Sequence, residues 1–259
     1  MTAPQVTGLS ADSAHMDGMQ GIGVAGLSAF VLTSLAVGLR LMALYRRTRQ
    51  FPELAMGLSF FTAGFLSTAM NLVGNHAQDD PTVAMWLRLA AALISYSGYA
   101  LMAFFVWRVF RRDTVGAVLF AACAGLLAAG FVMQVLSTRP VLPAPIDPGF
   151  WVAFAGQVIA YGWPAAEALH YWTLLRRRQR IDLAEPLMVN RFLMWGIANA
   201  TVVGIWGEVA YSMAGQETAV MTDASYLRLA LLGFGCAATT WLAFFPPRAY
   251  ARRFERARP

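Results

Sequence analysis

Twenty basic residues, every one an arginine, are spread along this chain. Almost all of them fall in alternate gaps between seven apolar stretches. The stretches run roughly over residues 21–45, 53–75, 83–107, 115–137, 149–174, 189–213 and 224–246. Each is close to the ~20 apolar residues that cross a bilayer as a helix. Lipid offers no hydrogen bond to an exposed backbone, so the stretches are expected as helices and not as open strands.

The arginines also orient the chain. Arg46, Arg47 and Arg49 follow the first stretch, and Arg108, Arg111 and Arg112 follow the third. Arg176, Arg177, Arg178, Arg180 and Arg191 flank the link from the fifth to the sixth. Arg248, Arg252, Arg253, Arg256 and Arg258 follow the seventh. The remaining gaps carry acids: Asp12 and Asp17, Asp79 and Asp80, Asp147, then Glu217 and Asp223, with Arg139 the one basic exception. Arginine-rich loops stay cytoplasmic. The expected topology has residues 1–20 as a polar external tail and 247–259 as a basic cytoplasmic tail.

Charged residues make up 13% of the chain, against about a quarter in a soluble domain. A single transmembrane domain over 1–259 is expected, with no room for a soluble one. The formal charge of +6 does not indicate nucleic acid, because the arginines mark boundaries and are not interleaved with solvated aromatics. They suit orientation and contact with anionic membrane lipid. The tail Arg248–Arg258 could also dock a cytoplasmic partner. The first twenty residues lack a basic segment followed by an apolar core, so they read as a tail and not as a cleaved signal. Cys123 and Cys236 both lie inside apolar stretches and read as buried thiols.

Two kinds of seven-helix chemistry are excluded. A retinal photopigment needs a helix-seven lysine, and the chain has no lysine; nor is there a carboxylate in the third stretch to act as counter-ion. A zinc hydrolase needs three or four protein ligands, but His15, His76 and His170 fall in the tail, at an outer loop and toward the inner end of the fifth stretch. They do not converge on a metal or a haem. No metal and no cofactor is expected.

An internal duplication follows. Shifted by 140 residues, Trp86–Arg112 aligns with Tyr226–Arg252 without a gap. Leu87-Arg88-Leu89-Ala90 matches Leu227-Arg228-Leu229-Ala230, and Ala103-Phe104-Phe105 matches Ala243-Phe244-Phe245. Arg108 and Arg112 match Arg248 and Arg252. The approach to the second stretch (46–53) is similar to the approach to the sixth (177–186), aligning Glu53 with Glu185, Phe60 with Phe192 and Gly64 with Gly196. Three helices, a linker helix and three helices again make a parallel repeat about an axis along the membrane normal.

On these residues the chain resembles the broad superfamily of SWEET and PQ-loop carriers and microbial-rhodopsin-like proteins. The runs PELAMGLSF, LAEPLMVNRFLMWG and LAFFPPRAY look like those of uncharacterised bacterial seven-helix proteins. The resemblance implies an all-α seven-helix bundle in a bacterial plasma membrane and carries no site residues over. No Pro-Gln opens either repeat, and Pro164 is the one proline well inside a helix.

Ionisable groups within the membrane are expensive and usually functional. Glu208, in the outer half of the sixth stretch, lies at the depth of Arg88 and Arg228. This is either a ligand site or a structural ion pair. Glu167 and His170 are three apart on one helical face, one turn beyond Pro164. They are either a proton or ligand site or a mutually bonded interfacial pair. Asn71 and Asn75, with His76, either line an outward mouth or bridge helices, and Asn199 and Thr201 pose the same choice. Trp86, Trp151, Trp107 and Trp172 hold belt positions. Trp163, Trp195, Trp206 and Trp241 lie deeper, with Tyr96, Tyr99 and Tyr161, and suit either a flat or sugar-like ligand or plain core. Ala121, Gly125 and Ala129 keep a four-residue spacing that fits a close contact, including a homo-oligomer through the fourth helix; Gly26, Phe30 and Ser34 repeat it loosely. The functional expectation is a small molecule bound in a central pocket, by a SWEET-like facilitator or by a receptor-like sensor signalling through its arginine-rich face. An intramembrane enzyme ranks last.

Overall fold

The computed structural model describes the backbone of residues 9–76, 80–137, 148–214 and 222–255. The side chains of 9–17, 19, 75, 76 and 255 fall outside that description. The described residues are almost all helical, joined by short links, with no strand among them. In chain order they form α1 (Leu9–Thr48), α2 (Phe51–Ser59), a π-helical segment (Phe60–Leu66), α3 (Ser67–His76), α4 (Pro81–Phe110), α5 (Thr114–Leu136), α6 (Pro148–Gln179), α7 (Pro186–Met213), α8 (Asp223–Phe244) and a short α9 (Arg248–Glu255). α2, the π segment and α3 are one continuous rod. α1 begins at Leu9, well inside the stretch expected as a tail.

Local sequence explains the boundaries. Pro81 and Pro186 sit in the first turns of α4 and α7, where a missing N–H costs nothing. Asp80, Asp113 and Thr222 cap α4, α5 and α8 through their side-chain oxygens. Pro246 and Pro247 stop α8. The π segment widens one turn and loosens the backbone ladder, and nearby hydroxyls recapture the carbonyls. Thr62 donates to Leu58 O at 2.7 Å, Ser67 to Ala63 O at 2.8 Å and Thr68 to Gly64 O at 3.1 Å.

Six segments are long and apolar enough to cross a membrane: Gln20–Thr48, Phe51–Gly74, Pro81–Phe110, Thr114–Leu136, Pro186–Met213 and Asp223–Phe244. The protein is an integral membrane protein on this count. α6 is not among the six, although its 32 residues span about 48 Å at ~1.5 Å per residue. It packs against α4, α5 and α7 and buries twelve residues between Gly149 and Ala168, Gln157 and Glu167 among them. A helix enclosed by other helices is not selected for the hydropathy that lipid demands.

The rods close into a ring in chain order. α1 packs on the α2 rod, that rod on α4, α4 on α5, α5 on α6, α6 on α7, α7 on α8, and α8 back on α1. α4 also touches α6 directly, so α5 lies outside the α4–α6 seam. Glycine brings the closing seam together. A Cβ on Gly26 would stand 2.6 Å from the Ala230 Cα, and one on Gly233 would stand 2.6 Å from the Gly26 carbonyl oxygen. Close backbone approach of this kind is how helices associate where lipid removes the hydrophobic drive.

Candidate functional site

Three polar features lie along the bundle axis, one at each end and one between. At the first end, Glu208 on α7 is 9% exposed. Arg228, one turn into α8, meets both of its oxygens: Nε donates to Oε2 at 2.7 Å and Nη2 to Oε1 at 2.8 Å. Ser225 Oγ accepts from the same Nη2 at 3.3 Å, and Tyr211 lies under the guanidinium at 5.8 Å. A vestibule of about 390 Å³ opens above the pair, between Tyr211, Ser212, Thr222 and Arg228. Of the two arginines matched in depth to Glu208, the structure brings it Arg228. Arg88 packs instead at the α3–α4 seam, its Cγ 3.4 Å from where a Gly74 Cβ would stand.

At the opposite end, Glu167 on α6 is 6% exposed. Arg111, just past the last turn of α4, donates Nε to Oε1 at 2.8 Å, and Trp163 Nε1 donates to the same oxygen at 3.2 Å. Asp113 lies 3.8 Å from the other side of the guanidinium. The hydrogen bond from Arg111 to Glu167 holds the guanidinium pKa above its usual value, so this arginine is charged at any working pH. His170 does not share the site. It is exposed, its ring lies 6.2 Å from that of Tyr171, and its carbonyl takes the Thr173 hydroxyl. The i, i+3 spacing allowed a Glu167–His170 contact, but Glu167 is buried on Arg111 and Trp163 while His170 is exposed.

Between the ends, a chamber of about 10 Å³ sits where α1, the π segment, α6, α7 and α8 meet. Ser34, Gly64, Tyr161, Asn199, Cys236 and Thr240 line it, with Phe30 and Phe60 closing its sides. Ser34 is the middle residue of Gln20–Thr48, and Asn199 falls midway along Pro186–Met213, so the chamber lies at mid-height. It is neutral: no charged side chain lines it. Aromatic pairs pack around it. Tyr99 meets Tyr161 at 5.4 Å and Trp206 at 6.2 Å on one side. Phe60 meets Phe244 at 5.8 Å and Phe105 meets Trp195 at 5.8 Å on the other.

The remaining expected residues scatter. Tyr96 and Trp206 are half-buried, and Tyr96 is tied to Gln134 of α5 with its hydroxyl 3.0 Å from Nε2 and 3.2 Å from Oε1. Asn71 is exposed on α3, and the side chains of Asn75 and His76 lie outside the described residues. Trp241, expected to lie deep, is 42% exposed and stacks on Phe245. Both thiols are buried and free, as expected.

Three residues were not singled out from the sequence. Arg111 was counted as a topology marker, and Ser34 only as a packing position. Arg40 lies deeper in α1 than the basic cluster that follows, and Nη1 caps Phe244 O at 2.6 Å while the guanidinium covers the Phe245 ring at 4.4 Å. The Pro246-Pro247 pair was its signal, because prolines after a helix leave the last carbonyls for a side chain to satisfy.

Among the described residues, no group of three or more His, Cys, Asp or Glu side chains comes together. The site therefore defines a helical membrane protein with a small, neutral chamber between two ion pairs. No family model, curated protein or solved structure matches the chain.

Proposed function

We propose that this protein is a seven-span facilitator that carries a small molecule through the central chamber. In this reading α6 is the fifth span, the N-terminus is outside and the arginine-rich end faces the cytoplasm of a bacterium. The carrying observation is where the chamber lies. α1 and the π segment line one side, and α6, α7 and α8 line the other, so it falls on the seam between two triplets, α1 to α4 and α6 to α8. Binding at mid-height on a repeat seam is the arrangement of repeat-built carriers, which work by rocking one repeat against the other.

The contact pattern supports two triplets. α1 meets the α2 rod as α6 meets α7; that rod meets α4 as α7 meets α8; α4 meets α6 as α8 meets α1. α5 is then the linker outside the pair. Its Ala121, Gly125 and Ala129 stripe is exposed, with nothing within 4 Å of a Gly125 Cβ, which leaves that face open to a second copy and to lipid. The Glu167–Arg111 pair ties the two triplets at one end of the passage, and Glu208–Arg228 locks α7 to α8 within one triplet at the other.

A second reading has its own support. Asn190 of α7 donates to the Tyr250 hydroxyl of α9 at 2.7 Å, so the exposed Arg248, Arg252 and Arg253 are tied to the helix that carries Asn199 and Glu208. A sensor could pass a shift of α7 to a cytoplasmic partner by this route. Purified protein in proteoliposomes separates the two. A facilitator equilibrates a small uncharged solute across the membrane without any partner, and Ser34→Leu, which fills the chamber, abolishes that flux. Saturable binding with no flux in a panel of sugars, polyols and amides would remove the facilitator reading and leave the sensor.

A further inference from the structure

Ser34 is the odd group in the chamber. It is 1% exposed, and its hydroxyl oxygen has no hydrogen-bond partner among the described residues. A buried hydroxyl without a partner carries its full desolvation cost. Its neighbours have acceptors to offer. Asn199, 4% exposed, spends its amide nitrogen on the Trp195 carbonyl at 2.8 Å. A carbonyl accepts only from the NH₂, so the Asn199 Oδ1 is the atom left over. Thr240, 2% exposed, has only a 3.9 Å contact with the Cys236 sulfur. The space between is about 10 Å³, the volume at which a cavity begins to hold one water molecule, provided two to four polar partners surround it.

We infer that Ser34, Asn199 and Thr240 form a binding site for a single ordered water. The water accepts from the Ser34 hydroxyl and donates to Asn199 Oδ1 and Thr240 Oγ1. It bridges α1 to α7 and α8, taking the place of a direct hydrogen bond across the seam. A monovalent cation is the competing occupant of a pocket this small. No carboxylate lines the chamber, and a charge held there by neutral groups alone would face the desolvation cost of the apolar interior. Water carries no such cost. The site rests on the cavity and its unpaired hydroxyl and not on transport, so a failed flux experiment leaves it standing.

Ser59 is the internal control. Among the described residues its hydroxyl also has no partner, and it is 0% exposed, but it does not line the chamber. Serine to alanine at Ser59 removes an orphan and should raise the Tm in nanodiscs. Ser34→Ala makes the same change in helix propensity but takes a partner from the water, and its Tm should stay level or fall. Equal rises for the two variants would mean a dry chamber and overturn the site. A Tm of the unaltered protein that rises with sodium chloride and not with choline chloride at equal ionic strength would put a cation there and also overturn it. A structure resolved well enough to see ordered water should show density between Ser34 Oγ and Asn199 Oδ1, and its absence is fatal to the inference whatever the variants do.

Discussion

At one end of the bundle, Arg228 meets both oxygens of Glu208; at the other, Arg111 meets one oxygen of Glu167. The carboxylate side chains are 9% and 8% exposed and both arginine side chains 45%. Composition and burial are thus matched, and the difference lies in what else competes. Arg228 is anchored between two spanning helices and has a hydroxyl and an aromatic ring behind it. Arg111 sits past the end of its helix, shares the Glu167 oxygen with an indole, and has Asp113 on its free side. A fork that fills both oxygens fixes the relative position of α7 and α8. A single bond on a shared oxygen can be exchanged, so the Glu167 end is the looser clasp.

The sharpest way to break this comparison is to remove each cation in turn. Either change strands a nearly buried carboxylate, which is far costlier than losing an exposed pair. A bidentate fork adds both energy and geometric constraint to a single charge-assisted bond. Thermal unfolding in nanodiscs should therefore show a larger Tm loss for Arg228→Ala than for Arg111→Ala. Equal losses would mean the second bond to Glu208 adds nothing. Trp163→Phe comes next. The indole is 8% exposed and phenylalanine keeps most of its packing, so only the donor to Glu167 is lost. Its Tm cost should fall below that of Arg111→Ala, and an equal or larger cost would make Trp163, not Arg111, the main holder of the carboxylate.

The sequence carried the Glu208 clasp further than the Glu167 clasp, for a physical reason. Depth along a helix can be counted in residues, and Glu208 and Arg228 are both inside apolar stretches. Arg111 lies among loop arginines whose collective role in orientation hides any single contact. The apolar runs located the spanning helices but not all of their ends: α1 begins at Leu9 and α6 runs on to Gln179. The π segment was not legible, because nothing in Phe60–Leu66 or just after it marks the wider turn except Thr62, Ser67 and Thr68, whose hydroxyls matter only once the carbonyls are loosened. The chamber was hidden for a similar reason. Ser34, Asn199 and Thr240 are far apart in sequence, and only ring closure at Gly26 and Gly233 brings them together. The 140-residue register aligns arginines better than it aligns cores. Ala103 and Ala243 are both buried, but buried Leu89, Ser95 and Tyr99 answer to half-buried Leu229, Gly235 and Thr239. α4 carries α5 on its flank and α8 has no such neighbour, so the same register meets different surroundings.

The smallest effect sharpens the comparison most finely. Asp113 has two jobs at once: Oδ1 accepts the Gly116 N–H at 2.8 Å as the cap of α5, and Oδ2 lies 3.8 Å from Arg111 Nη1. Asparagine caps a helix about as well as aspartate, whereas alanine forfeits about 1 kcal/mol. Asp113→Asn thus keeps the cap and deletes only the competing charge. Its own Tm should stay near that of the unaltered protein, since exposed pairs are worth little. Its effect should emerge in combination: with Asp113 neutral, Arg111 belongs to Glu167 alone, and Arg111→Ala should cost more in that background than in the native one. If the double-variant cycle shows no such coupling, Asp113 does not draw on Arg111, and the looseness of the Glu167 clasp must come from the single shared oxygen by itself.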